Sequence, residues 1–425
     1  MTTRFEASLD FARGMDQHDH IHKLRNEFLI PAGETGELIY FCGNSLGLQP
    51  RKAREAIDQE LRDWENLAID GFVKAKNPWL NYQYQFCKPF SKIVGCQENE
   101  VTVMNTLTVN LHLMLLSFYQ PAGQKYKILM ESGAFPSDQY AVESQVRFYN
   151  FNPDDAIIEI GPREGEKILR NEDLISAIEE NRNSLALVIL GGINYYTGQI
   201  LDMKNISETA KKADIAIGFD LAHAAGNILL NLHDWGADFA VWCSYKYLNG
   251  GPGSVGGVFI HEKHIKNLKV RRMGGWWGND EKTRFEMKRG FIPKADASGW
   301  NISTAQVFNM AALKASLDIF ERTSMPELRS KSIDLSGYLE FLLSRCAGEG
   351  KYEIITPKKP DMHGAQLSLF FPKNGRHVFK CLLDAGIVVD FREPGVIRVA
   401  PTPLYNTFEE VYRFFEVLQH VYDGS

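Results

Sequence analysis

The stretch DFAVWCSYKYLNGGPGSVGGVFI, residues 238–260, contains a glycine-rich segment and, just before it, Lys246. Residues 251–256, GPGSVG, have the spacing G-x-G-x-x-G that is found in dinucleotide-binding loops. In those loops a strand leads through the glycines into a helix whose N-terminus meets the pyrophosphate. Here the glycines run into VGGVFIH, which has the pattern of a strand, and Pro252 removes a backbone donor. The sequence therefore favours a tight connection built behind Lys246 over a dinucleotide site.

Short apolar runs separated by helical stretches occupy the middle of the chain on both sides of this loop. We predict strands at residues 126–130, 157–160, 185–190, 214–220, 238–244 and 256–261. Runs that are apolar throughout are typical of strands buried on both faces, as in parallel sheets covered by helices. The predicted fold class is therefore α/β, with a large domain in which helices sandwich a mostly parallel sheet.

The chain after residue 310 has the pattern of a smaller α/β unit. Strands are predicted at residues 365–371, 386–393 and 396–401, and a closing helix at residues 407–422. Residues 50–68 have the spacing of an amphipathic surface helix, whose start we place at Pro50. The predicted domains are residues 1–70, an N-terminal segment that packs with the small domain; residues 71–310, the large cofactor-binding domain; and residues 311–425, the small C-terminal α/β domain.

Composition places the chain among globular proteins with small-molecule partners. Its 425 residues include 47 Lys+Arg and 53 Asp+Glu, without a basic run, so nucleic acid and membrane partners are not expected. Charges interrupt the first residues and the run LHLMLLSFY is short, so no signal peptide or membrane span is expected. The absence of C-x-x-C spacing favours a reducing cytoplasm. The cysteines are Cys42, Cys87, Cys96, Cys243, Cys346 and Cys381.

Lys246 gains significance from the strand that precedes it in the predicted sheet. Asp220 closes the strand predicted at residues 214–220, His223 follows it, and Lys246 comes directly after the next strand. Open α/β sheets bind ligands at the carboxyl ends of their strands. This pair suits pyridoxal 5′-phosphate (PLP), because a carboxylate keeps the pyridine nitrogen protonated and a lysine amine forms a Schiff base. A solvated surface lysine and a core or capping histidine are the alternatives.

A phosphate site for such a cofactor is predicted at the start of the helix in NTLTVNLHLML. Thr106, Leu107 and Thr108 precede an apolar helical stretch, and a helix N-terminus with hydroxyl groups suits a phosphate. Simple N-capping by a threonine is the alternative, and it is compatible with either role.

Motifs along nearly the whole chain resemble those of the kynureninases. They are YFCGNSLGLQP (40–50), AFPSDQYA (134–141), DLAHAAGN (220–227), WCSYKYLNGGPG (242–253), GGWWG (274–278) and IRVAPTPLYN (397–406). The lysine loop alone would fit many members of the aspartate aminotransferase superfamily, fold type I of the PLP enzymes, whereas these motifs in this order are specific. The resemblance implies a homodimer with active sites at the subunit interface. It also implies PLP-dependent hydrolysis of L-kynurenine, with 3-hydroxykynurenine as a second substrate, to anthranilate or 3-hydroxyanthranilate and L-alanine in tryptophan degradation.

The resemblance implies cofactor roles for the matching residues. Lys246 would carry PLP as a Schiff base, Asp220 would pair with the pyridine nitrogen, and Tyr245 would transfer protons. Trp276 and Thr304 would come from the neighbouring subunit. Leu107 and Thr108 would bind the phosphate, joined by Tyr245. The other implied cofactor contacts are Phe135, Asp138 and His223.

Substrate roles are implied for Arg398, which would clamp the α-carboxylate as a bidentate fork, and for Phe72 and Ser303. Animal kynureninases have a histidine and an asparagine where this chain has Phe72 and Thr304. Because both polar partners for a ring hydroxyl are changed, the sequence predicts a preference for unsubstituted L-kynurenine.

A second departure from the animal pattern lies in LGGINYYTGQ, where Gly191 replaces a serine. One polar contact to the cofactor region is thereby lost, and Asn194 is a candidate to replace it.

Two other functions compete with this hypothesis. A cysteine desulfurase of the same fold would need a reactive cysteine on a mobile loop, and none of the cysteines has such a position. A non-enzymatic metal or regulatory module is suggested by His18, His20 and His22 in QHDHIH, but on a helix these side chains would face different sides. No metal is therefore expected.

Overall fold

The structure, a computed structural model, describes residues 5–34, 36–346 and 351–423. The strands are β1 Phe28–Leu29, β2 Ala32–Gly33, β3 Gly36–Glu37, β4 Ile39–Tyr40, β5 Gln49–Pro50, β6 Val101–Met104, β7 Lys127–Glu131, β8 Ile157–Ile160, β9 Leu185–Gly191, β10 Ala216–Asp220, β11 Phe239–Cys243, β12 Gly256–Ile260, β13 Glu353–Ile354, β14 Leu367–Phe370, β15 Ile387–Val388, β16 Asp390–Arg392 and β17 Val396–Val399. The α-helices are α1 Leu9–His18, α2 Ala53–Leu67, α3 Gly71–Lys74, α4 Cys87–Val94, α5 Leu107–Phe118, α6 Pro136–Phe148, α7 Pro153–Ala156, α8 Asn171–Glu180, α9 Met203–Lys212, α10 Leu232–Trp235, α11 Glu262–Ile265, α12 Val307–Phe320, α13 Met325–Leu343, α14 Gly375–Asp384 and α15 Phe408–Asp423.

A seven-stranded sheet forms the centre of the large domain, in the order β6-β12-β11-β10-β9-β7-β8. From β8 to β11 neighbouring strands are parallel, whereas β12 runs antiparallel to both β11 and β6. The predicted mostly parallel sheet is confirmed, because each predicted strand is present with its ends within two residues of the prediction. The sequence interpretation missed β6, a short strand at the edge of the sheet.

The parallel register brings the carboxyl ends of several strands to one edge. Asp220, the last residue of β10, lies opposite Gly191, the last residue of β9. Glu131 ends β7, which pairs with the other side of β9. On the far side of β10, β11 ends at Cys243, and Lys246 follows shortly after. This edge is where an open α/β sheet binds its ligands.

The glycine-rich loop turns the chain from β11 back into the antiparallel β12. Gly251 and Gly253 have φ angles of +88° and +70°, in the left-handed region that favours glycine. The glycines therefore serve the turn. Since a strand and not a helix follows them, the dinucleotide-loop alternative is excluded.

A second core joins the N-terminal and C-terminal parts of the chain. Its four-stranded antiparallel sheet, in the order β13-β14-β17-β16, packs with α13, α14 and α15. Ala12 of α1 and Phe41 lie in this core, whereas Leu24 and Phe28 lie in the large core. The N-terminal segment thus contributes to both cores, and the domain boundaries stay predictions.

Two predicted elements differ from the structure. Helix α2 begins at Ala53 and not at Pro50, because Pro50 belongs to β5, which pairs with β1. The strand predicted at residues 386–393 divides at Val389, since β15 pairs with β4 whereas β16 pairs with β17. Both differences arise from strand partners that are distant in the sequence.

Among the described residues, no helix has the length and apolar character needed to cross a bilayer.

Candidate active site

A pocket opens at the carboxyl edge of the large sheet. The predicted residues that line it are Leu107, Thr108, Phe135, Asp138, Asp220, His223, Tyr245 and Lys246. The lining is completed by Glu131, Ser137, Gly191, Ile193, Tyr195 and Ala222. Most of these residues end a strand or follow one directly, so the register of the parallel strands positions them.

Lys246 extends into this pocket with its Nζ 2.9 Å from Nε2 of His223. Burial and the nearby Lys246 charge lower the pKa of His223 well below its ordinary value. The imidazole is therefore neutral near pH 7, and Nε2 accepts a hydrogen bond from the amine. Nδ1, which then carries the imidazole proton, is buried and has no hydrogen-bond partner among the residues that the structure describes. An unsatisfied buried donor indicates that a further group belongs in the pocket.

A pair of neighbouring carboxyl groups, Asp220 and Asp138, occupies the same pocket. Burial raises the pKa of Asp138 well above its ordinary value, and the nearby Asp220 raises it further. Oδ1 of Asp220 accepts the backbone N–H of Ala222 at 2.7 Å, while Oδ1 of Asp138 is buried and no described residue hydrogen-bonds to it. Burial also raises the pKa of Asp220, which the Ala222 N–H and the Lys246 charge oppose. With the proton on Asp138, whose pKa is the more strongly raised, Asp220 can hold the charge that pairs with a cationic ring nitrogen.

The start of α5 borders the pocket at Leu107 and Thr108. Thr106 makes no side-chain capping hydrogen bond, so the capping alternative is not seen and the first helical N–H groups are left for a ligand. Oγ1 of Thr108 and Oγ of Ser137 lie 2.8 Å apart beside them. Backbone donors at a helix N-terminus together with hydroxyl groups suit a phosphate.

Aromatic side chains form another part of the pocket. The ring centroids of Phe135 and Tyr245 lie 5.8 and 5.9 Å from Nζ of Lys246. The ring of Tyr195 contacts Phe135 edge-on, with the centroids 5.3 Å apart. Burial raises the pKa of Tyr245, so its phenol stays protonated and can donate a hydrogen bond.

Glu131 also lines the pocket, although the sequence analysis did not single it out. Its buried carboxylate accepts the backbone N–H of Gly191 at 3.3 Å and Nδ2 of Asn194 at 2.9 Å. The residue type did not indicate burial, since a glutamate at the end of a strand is usually exposed. Its position did, because Glu131 lies at the end of a predicted parallel strand as Asp220 does.

Arg398 lies on β17 beside the pocket and not among its lining residues. Its buried guanidinium donates from Nη1 to the carbonyl oxygen of Tyr195 at 2.7 Å, and from Nη2 to Asp390 at 2.8 Å and Oγ of Ser45 at 3.1 Å. Burial opposes ionisation of Asp390, yet the hydrogen bond and charge of Arg398 outweigh it and hold the pKa of Asp390 below its ordinary value. Asp390 thus fixes one edge of the guanidinium, while Nη1 is directed toward the pocket-lining Tyr195.

The other predicted residues lie away from the pocket within this single chain. Phe72 packs edge-on against Trp79, with the ring centroids 5.6 Å apart. Trp276 is 45% exposed, and Ser303 and Thr304 are exposed. The structure of one chain therefore does not bring Phe72, Trp276, Ser303 or Thr304 to Lys246.

The alternating histidines of the N-terminal segment do not form a metal-type cluster. In the part of the chain that the structure describes, the one group with metal-ligand spacing contains none of His18, His20 and His22. Nδ1 of His18 bonds to the carbonyl oxygen of Gly14 at 2.7 Å.

The group with metal-ligand spacing consists of Glu100, His233 and His261. The Glu100 carboxylate already accepts the backbone N–H groups of Gln97 at 2.9 Å and Glu262 at 2.7 Å. The two imidazoles are stacked at 21°, so one ion could not lie in the planes of both rings. This cluster is a structural network.

Comparison with known proteins identifies the family. A family model described as the kynureninase C-terminal domain matches residues 328–418. The kynureninase of Myxococcus xanthus is 50% identical over an alignment that covers 98% of this chain and 97% of that protein. The chain belongs to the kynureninase family. The kynureninases of Flavobacterium psychrophilum and Nematostella vectensis are 49% and 47% identical and cover 98% and 97% of this chain, with 98% and 93% of their own lengths aligned.

Solved structures of other enzymes share the fold of this kynureninase-family chain. A cysteine desulfurase from Thermococcus onnurineus has a TM-score of 0.75 at 19% identity, covering 91% of this chain and 95% of that one. A mutant of the protein C-DES, with glycine covalently linked to its PLP cofactor, has a TM-score of 0.75 at 17% identity and covers 90% and 96%. These likenesses confirm the predicted fold class, which is that of the fold type I PLP enzymes. At such low identity they show the fold alone.

Proposed function

We propose that this protein hydrolyses L-kynurenine to anthranilate and L-alanine with PLP as its cofactor. The observation that carries the proposal is the meeting of Lys246, Asp220 and His223 in one pocket of a chain that is 50% identical to a kynureninase over 98% of its length. We also propose that the protein is a cytoplasmic homodimer in tryptophan degradation.

The pocket residues fit PLP in several independent respects. The phosphate suits the start of α5 with Thr108 and Ser137, while the ring suits the space beside Phe135 and His223. Asp220 is a charged acceptor for the ring nitrogen. The unpartnered Nδ1 of His223 and Oδ1 of Asp138 are buried polar atoms that a bound group would satisfy.

PLP, when bound, supplies an electron sink that makes the bond between Cβ and the ketone carbon of kynurenine cleavable. Nζ of Lys246 is the amine that we propose would hold the cofactor, and as a free amine it would be placed to take the α-proton of the substrate. The Asp220 carboxylate keeps the ring nitrogen protonated. Arg398 binds the α-carboxylate, for which its Nη1 edge beside Tyr195 is suited.

Water is the second reactant in this hydrolysis. Its oxygen adds to the ketone carbon, which leaves as the carboxylate of anthranilate, and the released three-carbon fragment gains protons to become L-alanine. The protonated phenol of Tyr245, next to Lys246, is the candidate proton donor.

The proposal of a homodimer has support at the surface of the single chain. Trp276, Ser303 and Thr304 are solvent-exposed although the family resemblance gives two of them cofactor roles. Trp64 on α2 and Phe308 on α12 lie with ring centroids 6.0 Å apart, and are 57% and 39% exposed. Exposed aromatic surface of this kind is typical of protein interfaces.

The function is tested by adding L-kynurenine to the purified protein with PLP and recording anthranilate fluorescence. We expect anthranilate release by the wild type and release slower by about a hundredfold or more by Lys246→Ala, the matched control. Sulfide release from L-cysteine without anthranilate release from kynurenine would instead support the desulfurase alternative. In the described residues no cysteine lines the pocket, which disfavours that outcome.

A further inference from the structure

Glu131 is a buried carboxylate in the pocket for which the proposed chemistry has no use. It ends β7 and is 6% exposed. One of its oxygens faces the last residue of β9, and the other faces the segment that follows β9. Oε1 accepts the backbone N–H of Gly191 at 3.3 Å, and Oε2 accepts Nδ2 of Asn194 at 2.9 Å. Burial raises the pKa of Glu131, and the hydrogen bonds from Asn194 and Gly191 oppose that rise. The carboxylate form thus depends on the two donors, and it in turn restrains them.

Asn194 transmits this restraint to the turn formed by residues 194–198. Its Oδ1 accepts the backbone N–H groups of Tyr196 and Thr197 at 3.0 and 2.9 Å, and Oγ1 of Thr197 at 3.1 Å. Because three donors hold Oδ1, the amide has one orientation, and its Nδ2 must face Glu131.

Tyr195 lies in this turn, between Asn194 and Tyr196, which are both held by hydrogen bonds. It contacts Arg398, which we propose binds the substrate, and Phe135, which lines the cofactor pocket. Its carbonyl oxygen accepts Nη1 of Arg398 at 2.7 Å and Nε2 of Gln366 at 3.1 Å. Its ring packs against Phe135 with the centroids 5.3 Å apart. A displacement of the turn would therefore move a hydrogen-bond acceptor of Arg398 and a neighbour of Phe135 together.

We propose that Glu131 is a positioning residue that holds the 191–198 segment, and through Tyr195 sets the orientation of Arg398 toward the substrate carboxylate. This inference rests on the proposed function and deepens it. The glycine at position 191 leaves the space that the Glu131 carboxylate occupies. A Cβ on Gly191 would lie 2.7 Å from Oε1 of Glu131, so any larger residue there would push the carboxylate away from its donors.

The pattern of donors and acceptors permits an exchange of the two side chains. Glu131→Gln turns one of two acceptors into an NH2 group that faces either the Gly191 N–H or the Asn194 amide. Asn194→Asp places a carboxylate against the Glu131 carboxylate. In the double variant Glu131→Gln/Asn194→Asp, the Gln amide can donate to the new carboxylate while its oxygen accepts from Gly191, so the full set of hydrogen bonds returns.

The experiment compares the wild type, the two single variants and the double variant by two readouts. The first is hydrogen exchange of residues 191–198 in protein prepared without PLP, which does not depend on activity. The second is KM and kcat for L-kynurenine with PLP. Glu100→Gln is the control, because Glu100 is a buried carboxylate at the edge of the sheet opposite the pocket, where it accepts the backbone N–H groups of Gln97 at 2.9 Å and Glu262 at 2.7 Å.

We expect faster exchange at residues 191–198 and a KM raised about tenfold in each single variant, with a smaller change in kcat. The double variant should recover both, whereas Glu100→Gln should change neither. Unchanged exchange and KM in both single variants, or a double variant no better than the singles, would overturn the positioning role. Should a single variant fail to fold, a folded double variant supports the hydrogen bond between residues 131 and 194, and an unfolded double variant contradicts it. If the single variants exchange faster than the wild type and the double variant does not, but the wild type releases no anthranilate, the proposed function is contradicted and the positioning role is not.

Discussion

Nζ of Lys246 lies 2.9 Å from Nε2 of His223 at the carboxyl edge of the sheet. Because burial and the Lys246 charge keep this imidazole neutral, its Nε2 carries a lone pair that accepts a hydrogen bond from the amine. The lysine is thus held in the pocket by a hydrogen bond that a covalent bond to a cofactor can replace.

Lys246→Ala should fold normally, bind PLP loosely and lose turnover by about a hundred- to ten-thousandfold, since the covalent anchor and the α-proton base are removed together. Anthranilate release and a thermal melt of the same preparation measure activity and folding. Turnover close to that of the wild type would show that another lysine is the anchor.

Asp220→Asn should lower kcat by about ten- to a hundredfold, the rate equivalent of one hydrogen bond to a charged group, because an uncharged partner no longer favours a protonated ring. Asp238→Asn is the matched control. Asp238 is also buried beside β10 and β11, but it lies at the opposite end of the strands and accepts the N–H of Ile217 at 2.7 Å. Equal losses of kcat in the two variants would remove Asp220 from the chemistry.

Arg398→Lys should raise KM for L-kynurenine by about ten- to a hundredfold while PLP affinity changes little, because an ammonium keeps the charge and loses the planar fork. Arg329→Lys serves as a control, since the buried Arg329 donates to the carbonyl oxygen of His363 at 2.7 Å, away from the pocket. If KM is unchanged in Arg398→Lys, the carboxylate is bound elsewhere.

Subunit mixing tests whether Trp276 serves the partner's pocket. When Lys246→Ala and Trp276→Ala proteins are dissociated and reassociated together, heterodimers should contain one native pocket, and activity should return to about a quarter of the wild-type value for random pairing. Each variant taken through the same procedure alone should stay inactive. No recovery in the mixture, with heterodimers shown by native mass spectrometry, would place Trp276 in the pocket of its own subunit.

The identity of Phe72 and Thr304 predicts a higher kcat/KM for L-kynurenine than for 3-hydroxykynurenine. An apolar ring and a short hydroxyl offer few partners for the extra oxygen, although an apolar pocket rejects a hydroxyl by only about 100-fold in known cases. The double variant Phe72→His/Thr304→Asn should narrow or reverse the ratio. A wild type that uses the hydroxylated substrate tenfold better, about 1.4 kcal/mol, would contradict the prediction.

The large sheet could be predicted because its strands are buried on both faces and so consist of unbroken apolar runs. The same logic placed Asp220 and Lys246 at neighbouring strand ends, and the structure brings both into one pocket. The strand β6 was missed because an edge strand of four residues is too short to give a periodic signal.

Contacts between distant segments could not be predicted from local pattern. The burial of Glu131 depends on β7 pairing with β9, and two partners of Arg398, Tyr195 and Ser45, are 203 and 353 residues away in the sequence. In the homodimer that we propose, the places of Phe72, Trp276 and Thr304 relative to a pocket would depend on the association of two chains, which no periodicity in one chain encodes.

The central claim, that Lys246 carries the cofactor at the end of β11, is tested most directly by borohydride reduction of the PLP-loaded protein followed by peptide mass mapping. We predict an absorbance band near the violet edge of the visible range that borohydride removes, and a reduced PLP adduct on the peptide that contains Lys246. An adduct on a different lysine, or no band and no adduct after loading with PLP, would contradict the claim.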